Sequence, residues 1–295
     1  MATPAQWIEG ARLRTLPMAI APVIVGTAAA YAYSGVLHWG LALLALAVSL
    51  LLQIGVNYAN DYSDGVRGTD DVRVGPLRLT GSRLAKPSHV KAASFACFGA
   101  AGLAGLALVF FSGAWPLLIV GACAIFAAWG YTGGKHPYGY LGLGEIFVFL
   151  FFGLVATLGT TVTQVHTFTA AAWIGAISTG LLAMALLMAN NIRDIPTDRE
   201  VGKNTLAVRL GDGPARISYG VMVGLAGLLP LLLIGQSIWV LLSLIVVVLG
   251  IVPARTVLRA RTPKELIPVL KATGILAIVF AVLFAAAMAL PRLLG

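Results

Sequence analysis

Two stretches of Asn and Asp hold the residues in this sequence best suited to chemistry. The first is Asn57-Tyr58-Ala59-Asn60-Asp61-Tyr62-Ser63-Asp64, continuing as Gly65-Val66-Arg67-Gly68-Thr69-Asp70-Asp71. The second is Asn190-Asn191-Ile192-Arg193-Asp194-Ile195-Pro196-Thr197-Asp198. Asn57, Asp61 and Asp64 have helical spacing, so a continuing helix is expected to present them on one face. Asp194 and Asp198 are also one turn apart, with Pro196 expected to break the helix between them. Aligning Asn60 with Asn190 aligns Asp64 with Asp194, a weak internal duplication that favours one shared site. Carboxylates at helix C-termini face the negative end of the helix dipole and require compensation. A hard divalent cation supplies it, because Mg²⁺ takes oxygen ligands and usually bridges carboxylates to substrate phosphates.

The elements that must position these motifs are membrane helices. Of the 295 residues, 59% are hydrophobic and 11% are Asp, Glu, Lys or Arg, against about 25% charged in soluble proteins. The mean hydropathy is +0.92. Such a chain cannot make a water-exposed surface, which excludes a soluble enzyme, a disordered protein and a disulfide-stapled secreted domain. Crossing a bilayer takes about 20 apolar helical residues, and nine such runs are expected. They are Leu16–Tyr33, Gly40–Asn60, Ala92–Phe111, a short Pro116–Trp129, Leu143–Val162, Ala172–Asn190, Ile217–Ile234, Ile238–Val252 and Val269–Leu290. The runs are apolar all round, so a closed barrel, whose strands alternate, is not expected. The fold class is an all-α polytopic bundle of about nine helices. It forms one domain over 1–295, with quasi-repeat halves at about 16–131 and 143–252 and an extra helix at about 269–290.

The net charge of +9 is not a nucleic-acid signature, because of where the charges fall. With nine spans, every Lys and Arg except Arg292 lies on one side, and so do all 11 acids. The positive-inside rule makes that side cytoplasmic. Trp39, Trp115, Trp173 and Trp239 each open an even-numbered span at the opposite boundary, as an aromatic belt would. Cys97 and Cys123 sit in apolar runs and read as small packing residues.

Asn60-Asp61-x-x-Asp64 and Asn190-Asn191-x-x-Asp194-x-x-x-Asp198 resemble the two Asp-rich motifs of the UbiA-type intramembrane prenyltransferases. The commonest first motif of that superfamily carries a further Asp where this chain has Gly68, with Asp70 and Asp71 slightly later. That departure resembles the 1,4-dihydroxy-2-naphthoate branch, the menaquinone-pathway members. Arg12-Leu13-Arg14-Thr15-Leu16-Pro17, Arg73-Val74-Gly75-Pro76-Leu77-Arg78, Tyr131-Thr132-Gly133-Gly134 through Gly144-Glu145, and Asn190 through Gly211 are similar to the same branch.

The resemblance implies a central cavity opening to the cytoplasmic side, Mg²⁺ as cofactor, and membrane lipid around the bundle. It implies polyprenyl transfer from a diphosphate to 1,4-dihydroxy-2-naphthoate with decarboxylation, giving demethylmenaquinone. Asp61, Asp64, Asp194 and Asp198 are then the expected Mg²⁺ and diphosphate ligands. Asn57, Asn60, Asn190 and Asn191 would add neutral ligands or orient the carboxylates. Arg67, Lys135, Arg193 and Lys203 are candidate diphosphate contacts, for which lipid-headgroup contact is the plainer alternative. Tyr62, Tyr138 and Tyr140 could flank an allylic cation or the acceptor ring, although belt positions also suit them. Glu145 suits a helix N-terminus, and Arg12 or Arg14 could meet an acceptor carboxylate. The rival readings are another acceptor, such as 4-hydroxybenzoate or homogentisate, and a cation-coupled secondary transporter. A transporter would need polar lining reachable from both sides, and the outer half here lacks charge.

Overall fold

The computed structural model describes residues 2–68 and 77–294. Within them the apolar runs are helices, since in hydrocarbon every backbone N–H and C=O must be satisfied within its own segment. We label them α1 (Pro17–Ser34), α2 (Trp39–Arg67), α3 (Pro87–Ser112), α4 (Leu117–Gly130), α5 (Gly144–Val165), α6 (Ala170–Glu200), α7 (Asp212–Leu233), α8 (Ile238–Arg259) and α9 (Pro263–Leu293). Among the described residues, all but α4 have the length and hydropathy to cross a bilayer, which makes eight candidate spans. The 14 residues of α4 reach roughly 21 Å, short of a full crossing. A helix at Pro4–Gly10, closed by a Thr3/Gln6 capping box, precedes the bundle and sets Trp7 edge-on against Tyr58.

Two helix ends matter to the motifs. The second apolar run closes near Asn60, and α2 continues past it to Arg67, as the helical spacing of Asn57, Asp61 and Asp64 required. It stops where Gly68 adopts φ 75 and its N–H returns to the carbonyls of Asp64 and Gly65, a left-handed cap that suits glycine. The sixth run was expected to break at Pro196, yet α6 continues through it to Glu200. Near the end of a helix a proline displaces few hydrogen bonds, and the Thr197 hydroxyl donates back to the Asp194 carbonyl at 3.1 Å.

The packing centres on α6, which contacts α1, α5, α7 and α9, while α4 lies on α2 and α3. Small residues permit close approach: a Cβ on Gly153 of α5 would stand 2.5 Å from the Gly180 Cα of α6. That contact falls within a π-helical stretch, Phe149–Val155. Side-chain hydrogen bonds join the helices inside the bundle, Thr157 to Thr179 at 3.1 Å and the Thr161 hydroxyl to the Gly26 carbonyl at 2.9 Å. The outer surface carries large apolar side chains, Phe126 being 78% exposed, as lipid contact requires. At the end of the bundle where α1 finishes, Arg292 donates to the carbonyls of Ala32 and Tyr33. The one basic residue expected opposite the rest is used there as a helix cap.

Candidate active site

A cavity of about 480 Å³ lies between α2, α3, α4, α5 and α6. Its walls at the α3–α4 end are apolar, with Leu106, Val109 and Leu118. At the other end the lining turns polar, with Asn57, Asn60, Asp64, Arg78, Asn190 and Lys203.

The α2 motif divides by helix face. Asp64 lines the cavity; its carboxylate accepts from the Tyr140 hydroxyl at 2.8 Å and stands 3.8 Å from the Arg78 guanidinium. Asn60, one turn back, accepts from the Thr132 hydroxyl at 2.7 Å. Asn57 donates to the Ala11 carbonyl at 2.8 Å and to the Thr15 hydroxyl at 3.0 Å, and accepts from Gln53 at 3.3 Å. Its amide thus fastens the N-terminal segment to α2. Asp61 does not join them on the cavity wall. Its carboxylate, 0% exposed, accepts the backbone N–H of Leu79 at 2.7 Å and of Thr80 at 2.8 Å. The expectation of one common face therefore gives way to a split, because positions 57, 60 and 64 stack while 61 lies to one side. Asp70, Asp71 and Arg73 fall outside the described residues.

The α6 motif is buried and paired. Arg193 donates to both carboxylate oxygens of Asp194, at 2.7 Å each, and to Asn190 at 2.9 Å. Asn191 donates to the buried Glu145 carboxylate at 2.8 Å. Because α6 is unbroken, Asp198 sits one turn beyond Asp194, where the Lys203 ammonium lies 3.8 Å from it.

The connection between α4 and α5 joins the two motifs. The Tyr140 ring carries Arg67 at 5.2 Å and Lys203 at 5.1 Å, and the Asn204 N–H donates to the Tyr140 carbonyl at 3.1 Å. Arg67 also donates to the carbonyls of Thr132 and Gly134, so it clasps this connection from the end of α2. Tyr138 lines the cavity, stacks on Phe147 at 3.9 Å and donates to the Ala127 carbonyl. Burial pushes its phenol well up. Tyr62 stacks on Trp129 under Lys91 and lies off the cavity wall. Lys135 is exposed and also off that wall.

Two cavity residues stood in the sequence only within stretches similar to the naphthoate branch and were given no role of their own. Arg78 is 7% exposed, and nothing in its local spacing signals that it returns to Asp64. Tyr131 closes α4 at the polar end of the cavity. Its phenol is held well above the usual range, first by burial and then by the charges of Glu145, Tyr138, Asp64 and Asp198. Arg12 lines the cavity with a buried Nη2 that has no hydrogen-bond partner, while Arg14 is exposed.

Among the described residues no three His, Cys, Asp or Glu side chains form a ready-made metal cage. The donor set still suits Mg²⁺, which needs only one or two carboxylates when substrate phosphates complete its shell. Buried carboxylates already matched by Arg78, Arg193 and Lys203 are a surface on which a diphosphate and its cation can exchange partners.

Comparison with known proteins agrees with this geometry. The profile of the UbiA prenyltransferase family matches residues 19–274. A 1,4-dihydroxy-2-naphthoate octaprenyltransferase of Mycobacterium tuberculosis is 51% identical over 99% of this chain and 100% of its own length. The Escherichia coli protein of the same name is 42% identical over 90% of this chain and 89% of its own. Among solved structures, a UbiA homologue from Archaeoglobus fulgidus bound to GPP and Mg²⁺ superposes with a TM-score of 0.68 at 13% identity. It covers 96% of this chain and 99% of its own.

Proposed function

The chain belongs to the UbiA prenyltransferase family, and from that premise we propose that it transfers a polyprenyl chain from its diphosphate to 1,4-dihydroxy-2-naphthoate. The carboxylate is lost as CO₂ and diphosphate is released. The observation that carries the reading is the polar end of an otherwise apolar cavity, where Asp64, Arg78, Asn190 and Lys203 meet and Lys203 stands 3.8 Å from Asp198. The acceptor rests on the naphthoate relatives, which match nearly the whole chain.

In this reaction the allylic C–O bond breaks and its electron pair leaves with the diphosphate. The ring carbon that bears the carboxylate forms the new C–C bond, and loss of CO₂ returns an electron pair to the ring, giving the prenylated quinol, the reduced form of the demethylmenaquinone expected from the resemblance. Asp64, Asp194 and Asp198 would hold Mg²⁺, which draws charge from the leaving oxygens. Asn60, Asn190 and Asn191 would orient these groups. Arg193 and Lys203, already beside the carboxylates, would neutralise the diphosphate, and Arg78 would reach it from the α2–α3 connection. Arg12 would meet the acceptor carboxylate, since its guanidinium and not that of Arg14 faces the cavity. Tyr131, Tyr138 and Phe147 present aromatic faces where positive charge would develop. The apolar walls keep water from that charge, and their α3–α4 end would take the prenyl tail. The excess of basic residues at the motif end supports a cytoplasmic position for that end.

The test is prenyl transfer by the purified protein in detergent, with a long-chain prenyl diphosphate, 1,4-dihydroxy-2-naphthoate or 4-hydroxybenzoate, and Mg²⁺ or EDTA. Product from the naphthoate that EDTA abolishes is expected. Product from the benzoate alone would overturn the acceptor, and no product from either would overturn the reaction.

A further inference from the structure

Asp61 belongs by sequence to the first motif, and the structure gives its carboxylate a different set of partners. Both oxygens are engaged, Oδ2 by the Leu79 N–H at 2.7 Å and Oδ1 by the Thr80 N–H at 2.8 Å. These two amides open a compact turn, in which the N–H of Ser82 returns to the Arg78 carbonyl, that of Arg83 to Thr80, and those of Leu84 and Ala85 to Leu79. The turn is also held against α2 by packing. Leu79 is 0% exposed, in a cluster with Ala11, Tyr58 and Val90. A Cβ on Gly65 would meet the Thr80 side chain at 2.5 Å. Asp61 and Gly65 are one turn apart on α2, so a single helix face grips the turn at two points.

The residue immediately before those amides is Arg78, which lines the cavity and stands 3.8 Å from Asp64. We propose that Asp61 is a positioning residue that pins the Leu79–Thr80 amides so that Arg78 is aimed at the diphosphate end of the cavity, rather than a metal ligand. Two successive backbone donors satisfy a carboxylate in one plane, and their charge-assisted hydrogen bonds are the strong kind. Each oxygen keeps a second lone pair, but the carboxylate is 0% exposed and off the cavity wall, so a metal would reach it only by displacing the turn that covers it. The two neighbouring aspartates of α2 thus divide the work: Asp64 faces the substrate, and Asp61 holds the loop that brings the counter-charge. The role rests on the diphosphate reading above and sharpens it.

The experiment separates the two by measuring binding without the acceptor. The affinity of a non-transferable prenyl thiodiphosphate is measured with saturating Mg²⁺. Mn²⁺ uptake is followed by electron paramagnetic resonance at analogue concentrations that saturate each variant, so that weaker analogue binding does not itself lower it. Both use the full-length protein, Asp61→Asn, Arg78→Gln and the double variant. Asp61→Asn and Arg78→Gln should each weaken the analogue by roughly tenfold or more, the size of a lost hydrogen bond to a charged group. The double variant should bind no more weakly than Arg78→Gln alone, and Asp61→Asn should leave the Mn²⁺ affinity unchanged where Asp64→Asn lowers it. Thr80→Pro, which deletes one pinned N–H and leaves the carboxylate in place, should reproduce part of the Asp61→Asn loss. Additive losses in the double variant, or loss of Mn²⁺ affinity in Asp61→Asn, would overturn the positioning role. Failure of the unaltered protein to bind the analogue would instead overturn the prenyl-diphosphate reading.

Discussion

The hydroxyl of Tyr140 and the carboxylate of Asp64, 76 positions apart in the chain, meet at 2.8 Å. This contact ties the first motif to the α4–α5 connection. On the face of the same ring, the Lys203 ammonium extends the tie to Asp198 of the second motif. One tyrosine therefore registers the two halves of the site against each other.

Tyr140→Phe removes the donor to Asp64 and keeps the ring beneath Arg67 and Lys203. We expect kcat/KM to fall by roughly tenfold, the size of one hydrogen bond to a charged group, with little change in melting temperature. Tyr140→Ala also removes both cation–π contacts, each worth about 0.5–1 kcal/mol, and should lower both quantities. Steady-state kinetics and thermal unfolding in detergent check the pair.

Asp194→Asn leaves the Arg193 side chain, 1% exposed, without its carboxylate. Breaking a buried pair in this way costs about 3–5 kcal/mol. The variant should lose both turnover and melting temperature. Adding Arg193→Met should restore part of the melting temperature without restoring turnover. Recovery of activity in that double variant would contradict the role given to this pair.

Asp64→Asn should abolish turnover while leaving a folded, membrane-inserted protein. The remaining amide can still accept from the Tyr140 hydroxyl, but it cannot hold a divalent cation as a carboxylate does. Near-normal rates would remove the metal–diphosphate account of the first motif.

Gly68 stands where related motifs carry Asp, and from spacing alone Gly68→Asp is expected to be tolerated or mildly harmful because Asp70 and Asp71 follow. The backbone at φ 75 adds a cost that spacing does not reveal, about 1 kcal/mol for a side chain in the left-handed region. Gly68→Ala should therefore destabilise about as much as Gly68→Asp, and Gly68→Asn less, in chemical unfolding. Turnover should persist in all three.

Gly153→Ala should be damaging far from any charge. Its Cβ would stand 2.5 Å from the Gly180 Cα, so α5 must move away from α6, at a cost of about 1–3 kcal/mol. Because Phe151 and Phe152 of the same π-helical stretch line the cavity, KM for the prenyl diphosphate should rise along with the loss of stability.

Much of this protein is legible in its sequence because the membrane imposes a one-dimensional rule. Backbone groups in hydrocarbon must bond within their own helix, so each apolar run becomes a helix, and the membrane-helix assignment follows from composition. The Asn/Asp motifs were visible for a related reason. Polar side chains at helix ends in an apolar sequence stand out, and their resemblance to the UbiA motifs identified the family.

Tertiary contacts decided what each motif residue does. Spacing makes Asp61 and Asp64 look equivalent, and only the return of residues 79 and 80 to α2 separates them. Arg78 and Tyr131 enter the site through a loop return and a helix end, which leave no periodic signal. Pro196 was expected to end α6, and whether it does depends on neighbours the local sequence does not name. The sequence by itself determined that this is a polytopic helical membrane protein with two acid-bearing helix ends. The fold decided which acids face the cavity and which cations meet them, because hydrogen bonds between distant segments depend on where the chain returns.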